Sequence, residues 1–348
     1  MNSAFLLVFI LFWSGLTLAF DGFAVRGVCK QYVSRNYPVV SGTITRSKVN
    51  THHGSKGGTS YSADIEYKYL VDGQAFTGKK VRLGITSSSH ASATGTVNAH
   101  PVGSSTQVYY NPANPQEALL TPGATGADFM MFLFLTPFNM VMLGLWLWLG
   151  GWMREHFFRP PAGGVKIINA GQSTRIRLPR FAAAAWGIGV TGGLGFVSIF
   201  AVGFSTNMEP PLSLALLVIA VAYAAGFFVY AWQRAKINSG IDDLVFDEFS
   251  QSLELPLTFG RTARVTAHIT DIECLNVETI IHRSNKGGIS YTYAPTLRLR
   301  GHSAVQKLAD WSDKLKAEEF AAWLRQRLGG NIPAVATAPP AWTPSRDI

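Results

Sequence analysis

FMMFLFLTPFNMVMLGLWLWLGGWM, residues 129–153, carries no ionisable side chain from end to end. A hydrocarbon core about 30 Å thick takes about 20 apolar residues of helix to cross. This stretch therefore decides the fold class, because it reads as a membrane span. Its one break, Pro137, and its polar neighbour Asn139 predict a kink rather than a substrate site. Three further stretches qualify or nearly do: Ala4–Phe20, Phe181–Phe204 and Leu212–Trp232, none with an ionisable residue inside those bounds. The first is short. It reads as an uncleaved anchor over residues 1–28, continuing weakly past Asp21 toward Val28. Thr17-Leu18-Ala19 loosely fits a cleavage site, but the leading MNS lacks the basic side chain of a signal peptide.

Composition agrees with four spans. Of 348 residues, 47% are hydrophobic and only 15% charged, with 22 Phe and 9 Trp; soluble chains carry about 25% charge. The length left over suits two small domains. Orientation follows from Lys and Arg beside the spans. The segment 154–180 holds Arg154, Arg159, Lys166, Arg175, Arg177 and Arg180 against Glu155, and reads as a basic cytoplasmic loop. Residues 205–211 hold no Lys or Arg, and Arg234 and Lys236 follow the last span. Residues 29–128 are thus expected outside, and both termini in the cytoplasm.

The net charge of +9 does not indicate nucleic acid. Residues 233–348 have 14 basic and 13 acidic side chains, so the excess lies elsewhere, beside the membrane and in the external segment. No basic stripe on a nucleic-acid-binding fold is visible. Cys29 and Cys274 fall on opposite sides in this topology and no CxxC spacing occurs, so neither a disulfide nor structural zinc is expected.

Two β-rich modules flank the spans. In residues 39–123, Tyr61, Ala63, Ile65, Tyr67, Tyr69 and Val71 alternate with Ser62, Asp64, Glu66 and Lys68, the pattern of a half-buried strand. Asp72-Gly73 is a hairpin signal. Ser87–Ala99 has room for a short helix, and Thr106–Tyr110 reads as a strand that Asn111-Pro112-Ala113-Asn114-Pro115 should close. Residues 241–330 read as strands over 244–249, 251–255, 264–269, 273–282, 291–300 and 305–311. An amphipathic helix over 313–328 follows, with Phe320, Trp323, Leu324 and Leu328 on one face. Strands followed by one C-terminal helix are similar to a pleckstrin-homology-like (PH-like) barrel. The Pro/Ala-rich tail 331–348 reads as disordered. The expected fold is thus a four-span α-helical membrane protein with an external β-sandwich or barrel-like module and a cytoplasmic PH-like one.

The runs GTITRS, YKYLVDGQAFTG and HPVGSSTQVYYNPANPQEALLTPG resemble an uncharacterised domain-of-unknown-function family of bacterial membrane proteins. Where that family usually shows a tyrosine ahead of the last glycine, this chain has His100-Pro101-Val102-Gly103. The resemblance implies a membrane-tethered β module and brings no established activity with it; the expected location is a bacterial inner membrane.

Gly187-Ile188-Gly189-Val190-Thr191-Gly192 satisfies the dinucleotide fingerprint GxGxxG, but inside a span it lacks the strand-to-helix turn that makes that motif work. It reads instead as helix packing through Ala185, Gly189 and Gly193 at i, i+4 and i+8. SKGGTSY (55–61) and NKGGISY (285–291) share one pattern and read as two hairpin tips. Interaction loops are accordingly placed at His52, His53, Lys56 and Tyr61, and at His282, Lys286 and Tyr291. Asp64 and Glu66 with the external histidines could supply acid and base groups, yet they lie on a polar strand face and show no metal-ligand spacing. His268, Asp271 and Glu273 read as turn and surface residues. No catalytic residue, metal or cofactor is expected. The sequence reads as a non-enzymatic binding or scaffold protein, with the bilayer, other envelope proteins or anionic headgroups as partners. The rival is a hydrolase-like envelope enzyme using histidines and carboxylates of the external module.

Overall fold

In a computed structural model, the described residues are 3–53, 59–83, 90–158, 161–283, 288–301, 304–329 and 332–333. Lys56, Arg159, Lys286 and nearly all of the tail 331–348 lie outside them. Among the described residues, four helices are long and apolar enough to cross a membrane, within Phe5–Asn36, Gly126–Phe158, Ala183–Ser205 and Leu212–Ser239. The chain divides into two compact units: Met1–Trp146 with Gly187–Phe228, and Leu147–Trp186 with Val229–Ile348.

The first unit opens with helix α1 (Ser3–Val33). It outruns the expected anchor because no proline interrupts it after Phe20, and it therefore carries Asp21, Arg26 and Lys30 within one helix. Strands β1 (Val39–His53), β2 (Thr59–Val71) and β3 (Gln74–Gly78) follow. Next come helix α2 (His90–Ala99) and strands β4 (Ser105–Asn111) and β5 (Asn114–Leu119), before helix α3 (Gly126–Phe158). The strands form one antiparallel sheet in the order β3-β2-β1-β4-β5. It is a single curled sheet, not two stacked ones. Its edges meet where Val81 O accepts from Leu120 N at 3.0 Å and Thr121 N at 2.8 Å.

Alternation in β2 sends Ile65, Tyr67, Tyr69 and Val71 into the core beside Ile44, Val108 and Leu120. Asp72 and Gly73 both have positive φ, as a type I′ turn requires. Tyr67 lies opposite Gly78, where any side chain would overlap its ring, and its hydroxyl donates to Lys80 O at 2.8 Å. Burial pushes that phenol well above its ordinary range. The prolines of NPANP do not end the pairing. β5 is an edge strand, so Pro115 needs no ladder partner, and its carbonyl accepts from the Tyr69 hydroxyl at 2.6 Å.

The second unit holds a short left-handed turn, α4 (Pro161–Gly164), then strands β6 (Lys166–Ala170) and β7 (Ser173–Arg177). Helices α5 (Ala183–Ser205) and α6 (Leu212–Ser239) come next and extend into the first unit. Strands β8 (Leu244–Asp247), β9 (Ser252–Leu255), β10 (Val265–His268), β11 (Ile272–Arg283), β12 (Ile289–Leu299) and β13 (Gln306–Lys307) follow, and helix α7 (Lys314–Arg327) closes the unit. Residues 154–180, read from sequence as a basic loop, thus contain a hairpin of this unit. Its strands complete a five-stranded sheet, β10-β9-β8-β7-β6, and a second sheet runs β11-β12-β13. Phe320, Leu324 and Leu328 of the expected helix face join Ile176, Leu244, Leu253, Leu275 and Leu297 in one core. The Asp313 side chain caps α7 by accepting from Leu315 N at 2.9 Å.

Candidate functional site

The expected interaction residues fall on two hairpin ends, each in its own unit. In the first, His52 Nε2 lies 3.0 Å from Ser62 Oγ, and the Tyr61 ring stands edge-on to His90 of α2 at 4.7 Å. His53 pairs with Thr59 on the last described rung. In the second, His282 pairs with Ser290 and Ile281 with Tyr291, and all four are exposed. Asp64 and Glu66 are ion-paired on the outer face of β2: Arg46 reaches them at 3.6 and 3.9 Å, and Lys48 reaches Asp64 at 3.9 Å. Exposed pairs of this kind contribute little. Among the described residues no three His, Cys, Asp or Glu side chains group as metal ligands.

Among the described residues, none packs against the expected stripe. Added side-chain carbons at Gly189 and Gly193 would meet nothing, and Ala185 is exposed like them. The buried face of α5 carries Gly187, Thr191 and Gly195, two residues on. Gly195 lies against Thr136 and Pro137 of α3, and Gly226 of α6 lies against Thr191 and the Gly187 carbonyl. Small residues still let these helices approach, as in membrane bundles. The face differs because a Gly-rich run offers the i, i+4 spacing in more than one phase.

A polar seam that hydropathy did not reveal runs along α1 and into the 3₁₀ turn that follows it, Ser34–Asn36. Ser14, Thr17, Gln31 and Ser34 are buried, and with half-buried Asp21 they recur at intervals of three and four or their sums. They share one helix face. That face meets α3. Trp146 Nε1 donates to Ser14 Oγ at 2.9 Å, Asn139 Nδ2 to Asp21 Oδ1 at 3.0 Å, and Gln31 Nε2 to Asp128 Oδ1 at 3.4 Å. Asp128 also binds Arg82 Nη2 at 2.5 Å and accepts from Thr125 N at 2.8 Å, a capping arrangement that opens α3. Ser34 Oγ accepts from Gly123 N at 3.0 Å. The seam therefore ends in a polar clasp between α1, the segment after β3 and the start of α3.

Among the described residues, the most completely buried ionic group lies in the second unit, where α5 and α6 leave the sheet. β7 and β8 are hydrogen-bonded neighbours, Ser173 opposite Asp247 and Ile176 opposite Leu244, although both helices intervene in the chain. The helical pair is thus an insertion into a sheet. Gly240, at φ +69, ends α6 and turns the chain so that Asp243 N donates to Gly240 O at 3.0 Å. The Asp243 carboxylate, 0% exposed, meets Arg177 Nη2 at 3.3 Å and Arg180 Nη2 at 3.0 Å. Asp242 pairs with Arg180 at 3.3 Å and Lys236 at 3.7 Å. Two arginines read as topogenic charges are therefore neutralised inside the protein. Each carboxylate of the cluster meets at least one guanidinium. The cluster can lock the two roots of the helical pair to each other.

Residues 40–125, about a quarter of the 348, match the family described as a domain of unknown function (DUF3592). The matched stretch covers β1 to β5 with α2, and ends at the residue before α3. No curated protein and no solved structure matches the chain.

Proposed function

We propose that this chain is a non-enzymatic binding protein of a bacterial inner membrane, with four spans, cytoplasmic termini, the first β module outside and the second inside. The carrying observation is the mount of the second module. Its sheet receives α5 through β7 and returns α6 into β8, with both roots held by Arg177, Arg180, Asp242 and Asp243. Such a mount joins the ends of α5 and α6 directly to adjacent strands of the sheet, where a domain on a flexible linker has no such tie. The asymmetry of Lys and Arg supports the orientation. Five strands, three strands and a closing helix support reading the second module as PH-like.

In this reading the β1–β2 and β11–β12 hairpin ends are the contact elements, and envelope proteins are their partners. The enzyme alternative has no comparable observation behind it, because Asp64 and Glu66 are engaged by Arg46 and Lys48. Reporter fusions after residue 123 and after the end of α7 should register opposite compartments. Excising residues 281–291 should remove neighbours that co-purify with the full chain while accumulation is unchanged. An unchanged set of neighbours would sink the hairpin assignment.

A further inference from the structure

Residues 256–264, PLTFGRTAR, connect β9 to β10, and several bonds hold this loop rigidly. Arg261 Nε donates to Pro256 O at 2.7 Å, its Nη1 to Lys307 O at 2.8 Å, and its Nη2 to Thr258 Oγ1 at 3.1 Å. Burial lowers that guanidinium's pKa from its ordinary value, as expected of a cation recruited to hold backbone. What these bonds display is apolar. Leu257 is 45% exposed and Phe259 44% exposed. Phe259 also takes φ +58, a conformation that is costly for a bulky residue and is kept where the surroundings enforce it. Lys307 Nζ sits 4.9 Å from its ring centre.

The position of the loop says what this display faces. Arg264 Nη2 donates to Ile241 O at 3.2 Å, tying the loop to the turn just after α6. Phe259 and Thr258 line a cavity of about 240 Å³ with Leu178, Pro179, Arg180 and Asp242, the roots of both helices. Phe181, the next residue after that lining, is 79% exposed and begins the apolar run of α5. Ile241, just after α6, is exposed as well, and the cations nearby are ion-paired: Lys236 with Asp242 at 3.7 Å, Arg264 with Glu254 at 3.1 Å and Lys307 with Asp310 at 2.7 Å. An exposed apolar tip held beside the ends of two apolar helices is placed where membrane-interface aromatics sit.

We propose that the 256–264 loop is a lipid-contacting foot of the second module, with Leu257 and Phe259 seated among phospholipid headgroups. Arg177 and Arg180 do not fill that role, because their charge is spent on Asp242 and Asp243. The foot rests on the reading that α5 and α6 span a bilayer, so its test must separate the two. In the intact protein with Cys29→Ser, and with Cys274 buried, single cysteines at Leu257, Phe259 and Phe228 carry an environment-sensitive fluorophore. The protein is reconstituted in phosphatidylglycerol/phosphatidylethanolamine vesicles containing headgroup- or chain-labelled nitroxide lipid.

Phe228, exposed on α6, reports the span. The foot predicts headgroup-nitroxide quenching at 257 and 259 within about twofold of that at a Trp232→Cys probe at the end of the same helix. Quenching at 228 with none at 257 and 259 overturns the foot and leaves the span standing. No quenching at 228 overturns the spanning reading, and the foot with it. Probes at 257 and 259 that are shielded from aqueous quencher but dark only through energy transfer between copies would mean that a second chain covers the loop. That outcome also overturns the proposal.

Discussion

Replacing Asp243 with alanine is the sharpest test of the lock at the helix roots. Its carboxylate is wholly buried and faces two guanidiniums, Arg177 at 18% and Arg180 at 23% side-chain exposure. Removing one partner of a buried pair costs roughly 3–5 kcal/mol, because the other charge stays desolvated and alone. Both arginines keep an edge toward solvent and can swing outward, which reduces the expected cost to about 2–3 kcal/mol. Asp242, at 19% exposure and shared between Arg180 and the half-exposed Lys236, should cost below about 1 kcal/mol. The assay is hydrogen exchange on the intact protein in detergent or nanodiscs, read at the amides of β7 and β8. A loss of 2–3 kcal/mol speeds exchange through opening by about 30- to 150-fold. Asp243→Asn should show most of the same loss, since it keeps the shape and removes the charge. Acceleration below about threefold for Asp243→Ala, or no greater than for Asp242→Ala, would refute the lock.

Three other outcomes follow from the geometry. Gly226→Ala should separate α6 from α5, because the added carbon would overlap Thr191 Oγ1, whereas Gly189→Ala should be silent; detergent thermal stability of the pair of variants checks this. Asp21→Leu and Asn139→Leu should each weaken the α1–α3 pairing by about 0.6–1.7 kcal/mol, and the double variant should cost less than their sum, as a double-mutant cycle will show. Asp247 accepts from Phe249 N at 2.8 Å and Ser250 N at 3.2 Å, which lowers its pKa below the ordinary 3.8. Its support for the β8–β9 turn is therefore fully present above pH 3.8 and is lost as pH falls through the lower folded value. Amide protection at Phe249 and Ser250 should hold down to that point in the native protein, and should lose this acid step in Asp247→Ala.

What the sequence discloses here depends on whether the deciding partner is near in the chain. The β2 alternation and the Asp72-Gly73 turn were legible because one buried face and one tight turn suffice to define a hairpin. The α7 stripe was legible for the same reason. β6 and β7 are not legible in the sequence although Thr174, Ile176 and Leu178 alternate toward the core, since the arginines there also satisfy the charge pattern of a membrane-flanking loop. Only the pairing with β8 decides between those readings. The α1 seam was hidden by a different cause. A hydropathy window stops at Asp21, and the asparagine that donates to that carboxylate sits on another helix. The stripe on α5 shows a third limit: period reveals that small residues face a neighbour, whereas phase needs the neighbour itself.

Inserting α5 and α6 between adjacent strands constrains how the second unit forms. Ile176 and Leu244 pair across 68 positions (244 minus 176), so the central β7–β8 ladder cannot close until the helices between them are in place and their ends are together. Closing so long a loop is entropically costly unless the helices pre-pay it by pairing. The Gly187–Thr191–Gly226 contact brings them together within the first unit. The charge lock then adds its energy only after both roots have arrived, since Arg177 and Arg180 come from one root and Asp242 and Asp243 from the other. A chain beginning at residue 241 lacks β6, β7 and both arginines. It should expose the edge of β8 and leave Asp243 without its cations, and should therefore collapse without cooperative melting. Joining residues 161–180 to 241–333 through a short glycine-rich linker restores the ladder and the lock, and should restore a single sharp transition. A cooperative transition in the 241–333 fragment alone would show that the sheet forms independently of its inserted helices.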